Sequence, residues 1–166
     1  MTADLVARLG SVADRLTALA ETEAPPGALT DPDANTGERW EAGQAWAHLA
    51  EFPAYWLAEI DRILRGTTAD GGAVPFGRTQ SDPGRLAAIE RDRTTDRRRL
   101  LERVTAGIAA ARSRIEELGD REWRARGLHP TRGEMTIPEI VERFLVAHLE
   151  EHADQLDKLT AAPQPG

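Results

Sequence analysis

Apolar residues recur along this chain at steps of three and four, the spacing that places side chains on one face of an α-helix. In the first such segment the recurring residues are Leu5, Leu9, Val12, Leu16 and Leu19. Four segments carry the pattern, at residues 1–19, 40–64, 83–118 and 137–159. Because no part of the chain gives a strand signal, the pattern predicts an all-α protein.

Three long connections, rich in glycine and proline, separate the four predicted helices. They cover residues 23–38, 66–81 and 120–135. Connections of this length allow crossovers, so we expect a four-helix bundle with long crossover connections. This single domain would cover residues 1–160, followed by a flexible tail over residues 161–166. Pro53 falls inside the second helix, where the loss of a backbone hydrogen bond predicts a kink.

The charge and composition of the chain exclude several classes of function. The chain has 166 residues with Lys+Arg 21 against Asp+Glu 28, a net charge of -7. Such an acidic surface repels phosphate backbones, which disfavours nucleic-acid binding. Neither a membrane-length apolar stretch nor the uncharged core of a signal peptide occurs, so we expect a cytoplasmic protein with no membrane partner. Because the sequence contains no cysteine, any thiol chemistry must use an external thiol.

The strongest chemical signal comes from the histidines. His148 and His152 are four residues apart on the fourth predicted helix, so their rings project from one face about one turn apart. At about 1.5 Å per residue, His48 lies about 12 Å from the start of the second helix. His152 and His148 lie about 12 and 18 Å, respectively, from the C-terminal end of the fourth helix. Antiparallel packing of these helices would bring all three rings to one level. The spacing therefore predicts a three-histidine site for a divalent metal with open coordination positions.

Other interpretations of the histidines stay open. A histidine pair four residues apart also occurs on partly exposed helix faces and hydrogen-bonded in cores. His148, Glu151 and His152 match the HxxEH pattern of inverted zinc peptidases, in which the glutamate is the general base. Those enzymes also need a third metal ligand, an acidic residue well downstream of the HxxEH pattern, so we treat hydrolysis as the lesser alternative. We expect His129, which precedes Pro130 in a predicted loop, at the surface rather than in the metal site.

Two segments of the chain resemble a known family. They are GERWEAGQAWAHLAEFPAYW at residues 37–56 and GEMTIPEIVERFLVAHLEEHADQL at residues 133–156. Together with the helix order, they make nearly the whole chain similar to the DinB-like, or damage-inducible, superfamily. The resemblance implies a four-helix bundle that holds one divalent metal, zinc first and nickel as the alternative. Carried across residue by residue, the ligands are His48, His148 and His152.

The same resemblance implies a reaction. The superfamily includes S-transferases that depend on mycothiol or bacillithiol, so we expect activation of a mycothiol-like, low-molecular-weight thiol for attack on a small electrophile. One alternative is a metal-dependent hydrolase that uses a metal-bound water, and another is a non-catalytic metal-binding stress-response module. The expected partners are a small-molecule thiol and an electrophile, with a homodimer as one candidate assembly.

Three polar residues are candidates to hydrogen-bond the metal-binding rings: Gln44, Tyr55 and Gln155. Each lies three, four or seven residues from a predicted ligand, and therefore on nearly the same helix face. Polar residues on an exposed helix face would show the same spacing, so both interpretations stay open.

Two arginines, Arg93 and Arg97, interrupt the apolar stripe of the third predicted helix, where an unpaired guanidinium would be costly to bury. We expect one or both to face the metal cavity and to bind a carboxylate of the substrate or the thiol. The alternative is that they reach solvent or pair with acids such as Glu90 or Asp96.

Overall fold

Long helices make up most of the computed structural model, which describes residues 2–67 and 72–161. The helices are α1 (Thr2–Leu19), α2 (Ala42–Gly66), α3 (Pro83–Asp92), α4 (Arg97–Glu117), α5 (Asp120–Trp123), α6 (Ile137–Val141) and α7 (Ala147–Ala161). A π-helical turn (Glu142–Val146) joins α6 to α7 without a break. The strands are β1 (Val74–Pro75), β2 (Arg126–His129) and β3 (Gly133–Thr136).

Helices α1, α2 and α4 and the continuous helix over residues 137–161 form a four-helix bundle, which confirms the predicted fold class. Helix α2 packs against α3, α4 and α7, and α1 packs against α4 and α7. The apolar stripes that predicted the helices meet in the interior, where the side chains at most 1% exposed include Leu9, Leu16, Leu49, Ile60 and Ile108. Each such side chain contributes about 1.5–3 kcal/mol on burial. None of the described helices is long and apolar enough to cross a membrane.

Pro53 lies inside α2 without ending it, since the helix continues to Gly66. Helix α4 passes close to this proline because residue 107 is glycine. A Cβ atom at Gly107 would lie 2.9 Å from the Cβ atom of Pro53, closer than real Cβ contacts come. The glycine therefore lets α2 and α4 pack closely, which restrains the part of α2 that follows His48.

The single helix predicted over residues 83–118 is wrong, because the chain turns between α3 and α4. The backbone N–H of Thr95 donates to the carbonyl of Asp92, which closes a turn. The carboxylate of Asp96 then accepts hydrogen bonds from the backbone N–H groups of Arg98 and Arg99, at 3.0 and 3.3 Å. This N-cap satisfies the first free N–H groups of α4 and so stabilises a new helix start. The gap in the apolar stripe coincides with this break.

The expectation of a chain without strands is also wrong, since three short strands form a small sheet in the order β1-β2-β3. Strand β2 pairs with β1 in parallel and with β3 in antiparallel orientation. Gly77, just after β1, has φ of +85°, and a Cβ atom there would lie 2.4 Å from Cδ2 of His129. Both the backbone conformation and the neighbouring ring therefore require glycine at this position.

Two sequence predictions fall partly outside the described residues. The predicted crossover over residues 66–81 includes residues 68–71, and the predicted tail includes residues 162–166. The described end of the crossover passes from β1 to α3 and lines a cavity with Arg78, Thr79 and Gln80. This connection therefore contributes side chains to the site described next.

Candidate metal centre

Helices α2 and α7 bring three histidine rings together inside the bundle. Nε2 of His148 lies 3.1 Å from Nε2 of His48 and 3.2 Å from Nε2 of His152. One candidate ligand atom from each ring lies within 4.8 Å of the other two. His48 and His152 are 3% and 6% exposed, whereas the side chain of His148 is 31% exposed. The structure thus places the three predicted ligands at one level, with the open side at His148.

The donor set fits a divalent metal in spacing, protonation and chemistry. Nitrogens about 2.05 Å from a tetrahedral metal lie about 3.3 Å apart, close to the two shortest Nε2 separations. Burial, with a further contribution from neighbouring histidines, lowers the pKa of His48 and of His152 well below the ordinary value. Both rings are therefore neutral at neutral pH and keep a lone pair for a metal. Imidazole nitrogens suit zinc and nickel alike.

Each ring meets, at its Nδ1 atom, a polar side chain three residues further along the same helix. The pairs are His48 with Glu51, His148 with Glu151, and His152 with Gln155. The distance from Nδ1 to the nearest oxygen is 2.7 Å for the glutamine and 3.6 Å for each glutamate. An acceptor at Nδ1 fixes the ring so that Nε2 carries the lone pair. Gln155 therefore lies beside the ring of a predicted ligand, as its spacing indicates.

A buried network continues behind His48. Its Nδ1 atom and Oε2 of Glu51 are buried without a hydrogen-bond partner among the described residues, and a small closure of their 3.6 Å gap would satisfy both. Arg78 pairs with the other oxygen of Glu51, and its guanidinium lies 3.7 Å from the ring centroid of Tyr55. Burial raises the pKa of Tyr55 to about 12, so its hydroxyl stays protonated. Tyr55 thus connects to the ligands through Arg78 and Glu51 rather than directly.

Gln44 belongs to the start of α2 and not to the histidine cluster. Its side-chain oxygen accepts a hydrogen bond of 3.0 Å from the backbone N–H of Glu41, within the capping box that begins the helix. The spacing that made Gln44 a candidate is therefore explained by helix capping.

Arg93 and Arg97 lie at the break between α3 and α4, and neither lines the cavity beside the histidines. Arg93 forms ion pairs with Glu41 and Glu90, at 3.1 and 3.3 Å. Arg97 donates a hydrogen bond of 3.0 Å to the backbone carbonyl of Thr22. The structure therefore gives Arg93 the acidic partner of the alternative interpretation, and it gives both arginines partners within the chain.

Aromatic rings enclose the buried side of the cluster. Trp40 stacks on His152, with ring centroids 6.0 Å apart and planes at 4°, and meets His48 edge-on at 5.3 Å. Phe52 packs against His48 at 5.1 Å and against His148 at 4.8 Å. These contacts restrict the ring orientations and keep water away from the two buried histidines.

A cavity of about 710 Å³ opens beside the three rings. Its volume lies within the range of about 300–1,000 Å³ found for small-molecule sites. Four arginines line it among the described residues: Arg78, Arg85, Arg132 and Arg143. The sequence analysis singled out none of them. Arg78, Arg85 and Arg132 are placed by the connections before α3 and α6, and Arg143 lies in the π-helical turn, five residues before His148.

His129 corrects the prediction of a surface histidine. Side chains along β2 alternate between exposed and buried, and this alternation places His129 inside, 4% exposed, at the cavity wall. Its ring stacks on Phe144 at 5.2 Å, and the backbone N–H of Thr131 donates to its Nδ1 at 3.3 Å. Burial is the main cause that lowers the pKa of His129. Among the described residues it does not join the three clustered histidines.

A sequence signal for the residues at Nδ1 did exist. A glutamate or glutamine follows each of the three clustered histidines by three residues, one helical turn away. The same spacing identifies Glu51, which the sequence analysis missed, and assigns Glu151 to the ring of His148. His129 has no such residue at position 132, which is Arg132.

Comparison with solved structures shows that the fold of this chain occurs in other proteins. YfiT from Bacillus subtilis, described as a probable metal-dependent hydrolase with an unusual four-helix bundle topology, superposes with a TM-score of 0.71 at 16% identity, covering 95% of this chain and 85% of that one. An uncharacterized protein from Clostridium difficile 630 superposes with a TM-score of 0.62 at 12% identity, covering 95% and 94%. At these identities the likeness shows the fold alone.

The sequence itself gives a second result. No curated protein matches the chain significantly. The model of the DinB superfamily, however, matches residues 7–156, a range that includes all three clustered histidines, the whole of α2 and most of α7. With the four-helix bundle and its superposition on YfiT, this match shows that the chain belongs to the DinB superfamily.

Proposed function

We propose that this protein is a metal-dependent S-transferase, which binds one divalent metal through His48, His148 and His152 and transfers a low-molecular-weight thiol to a small electrophile. The convergence of three imidazole nitrogens beside a cavity of about 710 Å³ carries the proposal. A cavity of this size has room for two small reactants next to the cluster. Because the chain has no cysteine, the thiol must be one of those reactants.

Zinc is the proposed metal, with nickel as the alternative, and a mycothiol-like compound is the proposed thiol. The bound metal supplies an open coordination position at which the pKa of a thiol falls toward neutrality. In the overall reaction the thiol proton passes to solvent and the sulfur forms a bond to a carbon of the electrophile. The leaving group departs with the electron pair of the bond that breaks, so atoms and charge balance without an oxidant or reductant.

The residues around the cluster hold the ligands in place for this chemistry. Glu51, Glu151 and Gln155 contact the Nδ1 side of the three rings and so aim each Nε2 atom at the common point. Trp40 and Phe52 cover the buried rings and lower the local dielectric, which strengthens electrostatic interactions there. These five side chains position the site, and we assign none of them a proton-transfer step.

A metal-dependent hydrolase is the second candidate, because the superposed YfiT is described as a probable one. In the HxxEH pattern, Glu151 would act as general base for the attacking water. Its carboxylate instead lies 3.6 Å from Nδ1 of His148, on the far side of that ring from Nε2. This position suits a residue that orients the ring and so favours the transferase.

The test begins with protein purified without a histidine tag, whose bound metal is measured by mass spectrometry. Zinc-loaded protein is then assayed with 1-chloro-2,4-dinitrobenzene and either mycothiol or cysteine, and in parallel with 4-nitrophenyl acetate and no thiol. We expect consumption of the electrophile to require both metal and thiol and to stop in His152→Ala. Ester hydrolysis without thiol would replace the proposal by the hydrolase, and no turnover in either assay would leave a non-catalytic metal-binding module.

A further inference from the structure

Arg85 is the arginine of the cavity wall that is both partly buried and without an acidic partner among the described residues. Arg132 and Arg143 form no ion pair with a described residue either, but both are exposed. The guanidinium of Arg85 makes one hydrogen bond, from Nη1 to the backbone carbonyl of Gln80 at 2.9 Å. No carboxylate of residues 2–67 or 72–161 forms an ion pair with it. Arg78, by contrast, is paired with Glu51. Arg85 is therefore a cation at the cavity wall whose charge the chain itself does not neutralise.

The position of Arg85 connects it to the histidine cluster. Its guanidinium carbon lies 5.2 Å from the ring centroid of Trp40, and the same ring stacks on His152 at 6.0 Å. The ring of Trp40 therefore lies between the guanidinium of Arg85 and the imidazole of His152, a candidate metal ligand, and contacts both.

The surroundings of Arg85 disfavour a free cation. Burial, and secondly the like charge of Arg78, lower the pKa of Arg85. The acids that act on Arg85 are Glu38, Glu51 and Asp33, and none of them forms an ion pair with it. Glu51 is paired with Arg78, and the carboxylate of Asp33 accepts hydrogen bonds from the backbone N–H groups of Asn35 and Thr36, at 2.9 Å each. A partly buried guanidinium of this kind is stabilised by an anion that enters the cavity.

We propose that Arg85, with the face of Trp40 beneath it, binds a carboxylate of a reactant held beside the three histidines. The identity of that molecule as a reactant rests on the proposed S-transferase function, whereas binding of the carboxylate does not. A single planar guanidinium matches the two oxygens of one carboxylate. A phosphate dianion would call for a second cation close to Arg85, and Arg78, the arginine whose charge acts on Arg85, already has its carboxylate in Glu51.

The experiment measures binding by calorimetry to the zinc-loaded protein, in two arms. The first arm compares ω-mercaptocarboxylates of two to five carbons with their amides, which have nearly the same size and shape but no charge. The second arm titrates alkanoates of the same lengths, alone and with a saturating mercaptoamide. The variants are Arg85→Met, which removes the charge, and Arg85→Lys, which keeps the charge but cannot donate two parallel hydrogen bonds to one carboxylate. Arg98→Met is the matched control, since Arg98 is exposed on α4 and does not line the cavity.

We expect the acid of at least one chain length to bind about 10- to 100-fold more tightly than its amide. Arg85→Met should abolish this preference, Arg85→Lys should reduce it, and Arg98→Met should leave it unchanged. Alkanoate binding alongside the mercaptoamide would place the carboxylate on the electrophile. If the alkanoate and the mercaptoamide exclude each other, and the mercaptocarboxylate binds more tightly than its amide, the carboxylate belongs to the thiol. Either result supports the assignment.

Two results would overturn the inference: equal affinity for acids and amides, with no alkanoate bound, or a preference for acids that persists in Arg85→Met. Failure of the proposed function is distinguishable, because no mercaptoamide, which lacks a carboxylate for Arg85, would then bind to the zinc-loaded protein. In that case the alkanoates alone decide, since their binding requires Arg85 and no thiol. A circular dichroism spectrum like that of the parent shows that each variant is folded.

Discussion

The apolar interior of the bundle and the three-histidine cluster share helix α2, yet they differ in how completely their polar atoms are partnered. The interior is built from side chains such as Leu9, Ile60 and Ile108, which carry no polar atom to satisfy. Beside the histidine cluster and at the cavity wall, by contrast, lie three of the four buried side-chain atoms that have no hydrogen-bond partner in the described part of the chain. They are Nδ1 of His48, Oε2 of Glu51 and Nε2 of His129.

This difference separates stability from function. An unsatisfied buried polar atom costs about 1–3 kcal/mol, so the cavity end lowers the free energy of unfolding that the interior supplies. The three histidine rings, in turn, converge on one point beside the cavity, where they can hold a metal. Substitutions in the interior should therefore change stability and leave metal binding intact, and substitutions at the cluster should do the reverse.

The largest effect is expected from removal of a metal ligand. His152→Ala should lower the affinity for zinc by more than about 1,000-fold, beyond the 10- to 100-fold effect of residues outside the ligand set. Competition with a chromophoric chelator measures it. His129→Gln is the matched control, because it removes a buried histidine of the same cavity and should keep one metal per chain. Unchanged metal content in alanine variants of His48, His148 and His152 would rule out the cluster as the metal site.

The interior should respond in the opposite way. Ile108→Ala creates a cavity between packed helices and should lower the free energy of unfolding by about 3 kcal/mol, measured by urea denaturation. Zinc affinity should stay that of the parent. Leu86→Ala, at a side chain 43% exposed, is the control and should change stability by less than about 0.5 kcal/mol. A parallel loss of zinc affinity in Ile108→Ala would show that the two regions are coupled.

A residue that contacts only a ligand ring should show an intermediate effect. Gln155→Ala removes the acceptor at Nδ1 of His152 and should weaken zinc binding by about 10- to 100-fold. Gln44→Ala is the control, because that glutamine caps α2, and its loss should cost about 1 kcal/mol of stability without weakening zinc binding. Equal zinc affinities of the two variants would deny Gln155 its positioning role.

The pH dependence of stability sharpens the comparison for His129. Its pKa in the folded protein is lowered from 6.5, so the unfolded chain binds the proton more readily. The stability that neutral His129 provides is therefore full above pH 6.5 and declines as the pH falls below it. In metal-free protein, His129→Gln should flatten this decline by at most about 1.4 kcal/mol per pH unit. Identical slopes in urea denaturation between pH 7.5 and 5.5 would contradict the assignment.

The smallest effect is expected at the break between α3 and α4. Arg93→Met removes two partly exposed ion pairs, with Glu41 and Glu90, and should change stability by less than about 1 kcal/mol. Zinc affinity and the preference for carboxylate probes should match the parent, in contrast to Arg85→Met. Loss of that preference in Arg93→Met would instead return the carboxylate-binding role to the residue that the sequence suggested.

The long helices and the histidine cluster could be predicted because both rest on local repeats. Apolar steps of three and four fix the inward face of each helix, and distance along the helix axis fixes the height of each histidine. The break after Asp92 could not be read in this way, since apolar residues continue on both sides, at Ile89 and Leu100. The break is instead fixed by the N-cap at Asp96, whose carboxylate accepts a hydrogen bond from the backbone N–H of Arg98. In a continuous helix that N–H group would donate to a backbone carbonyl.

The cavity wall could be predicted least. Strand β2 has four residues and pairs with β1 across about 50 positions of sequence. It is therefore too short for an alternation of apolar and polar residues to predict that His129 is buried. The same dependence on distant segments explains why the sequence pointed to Arg93, and not to Arg85, as a carboxylate-binding residue. Arg93 stood out because it interrupts an apolar stripe, whereas Arg85 reaches the cavity only through the path of the connection between α2 and α3.

The π-helical turn over Glu142–Val146 has an evolutionary consequence for the site. Such a turn contains one residue more than an α-helical turn, and each residue of an α-helix advances the side-chain direction by about 100°. Loss of a single codon within the turn would therefore rotate His148 and His152 together away from His48, although all three histidines would remain in the sequence. Among relatives, the number of residues between the start of α6 and the first histidine of the pair becomes as informative a character as the histidines themselves.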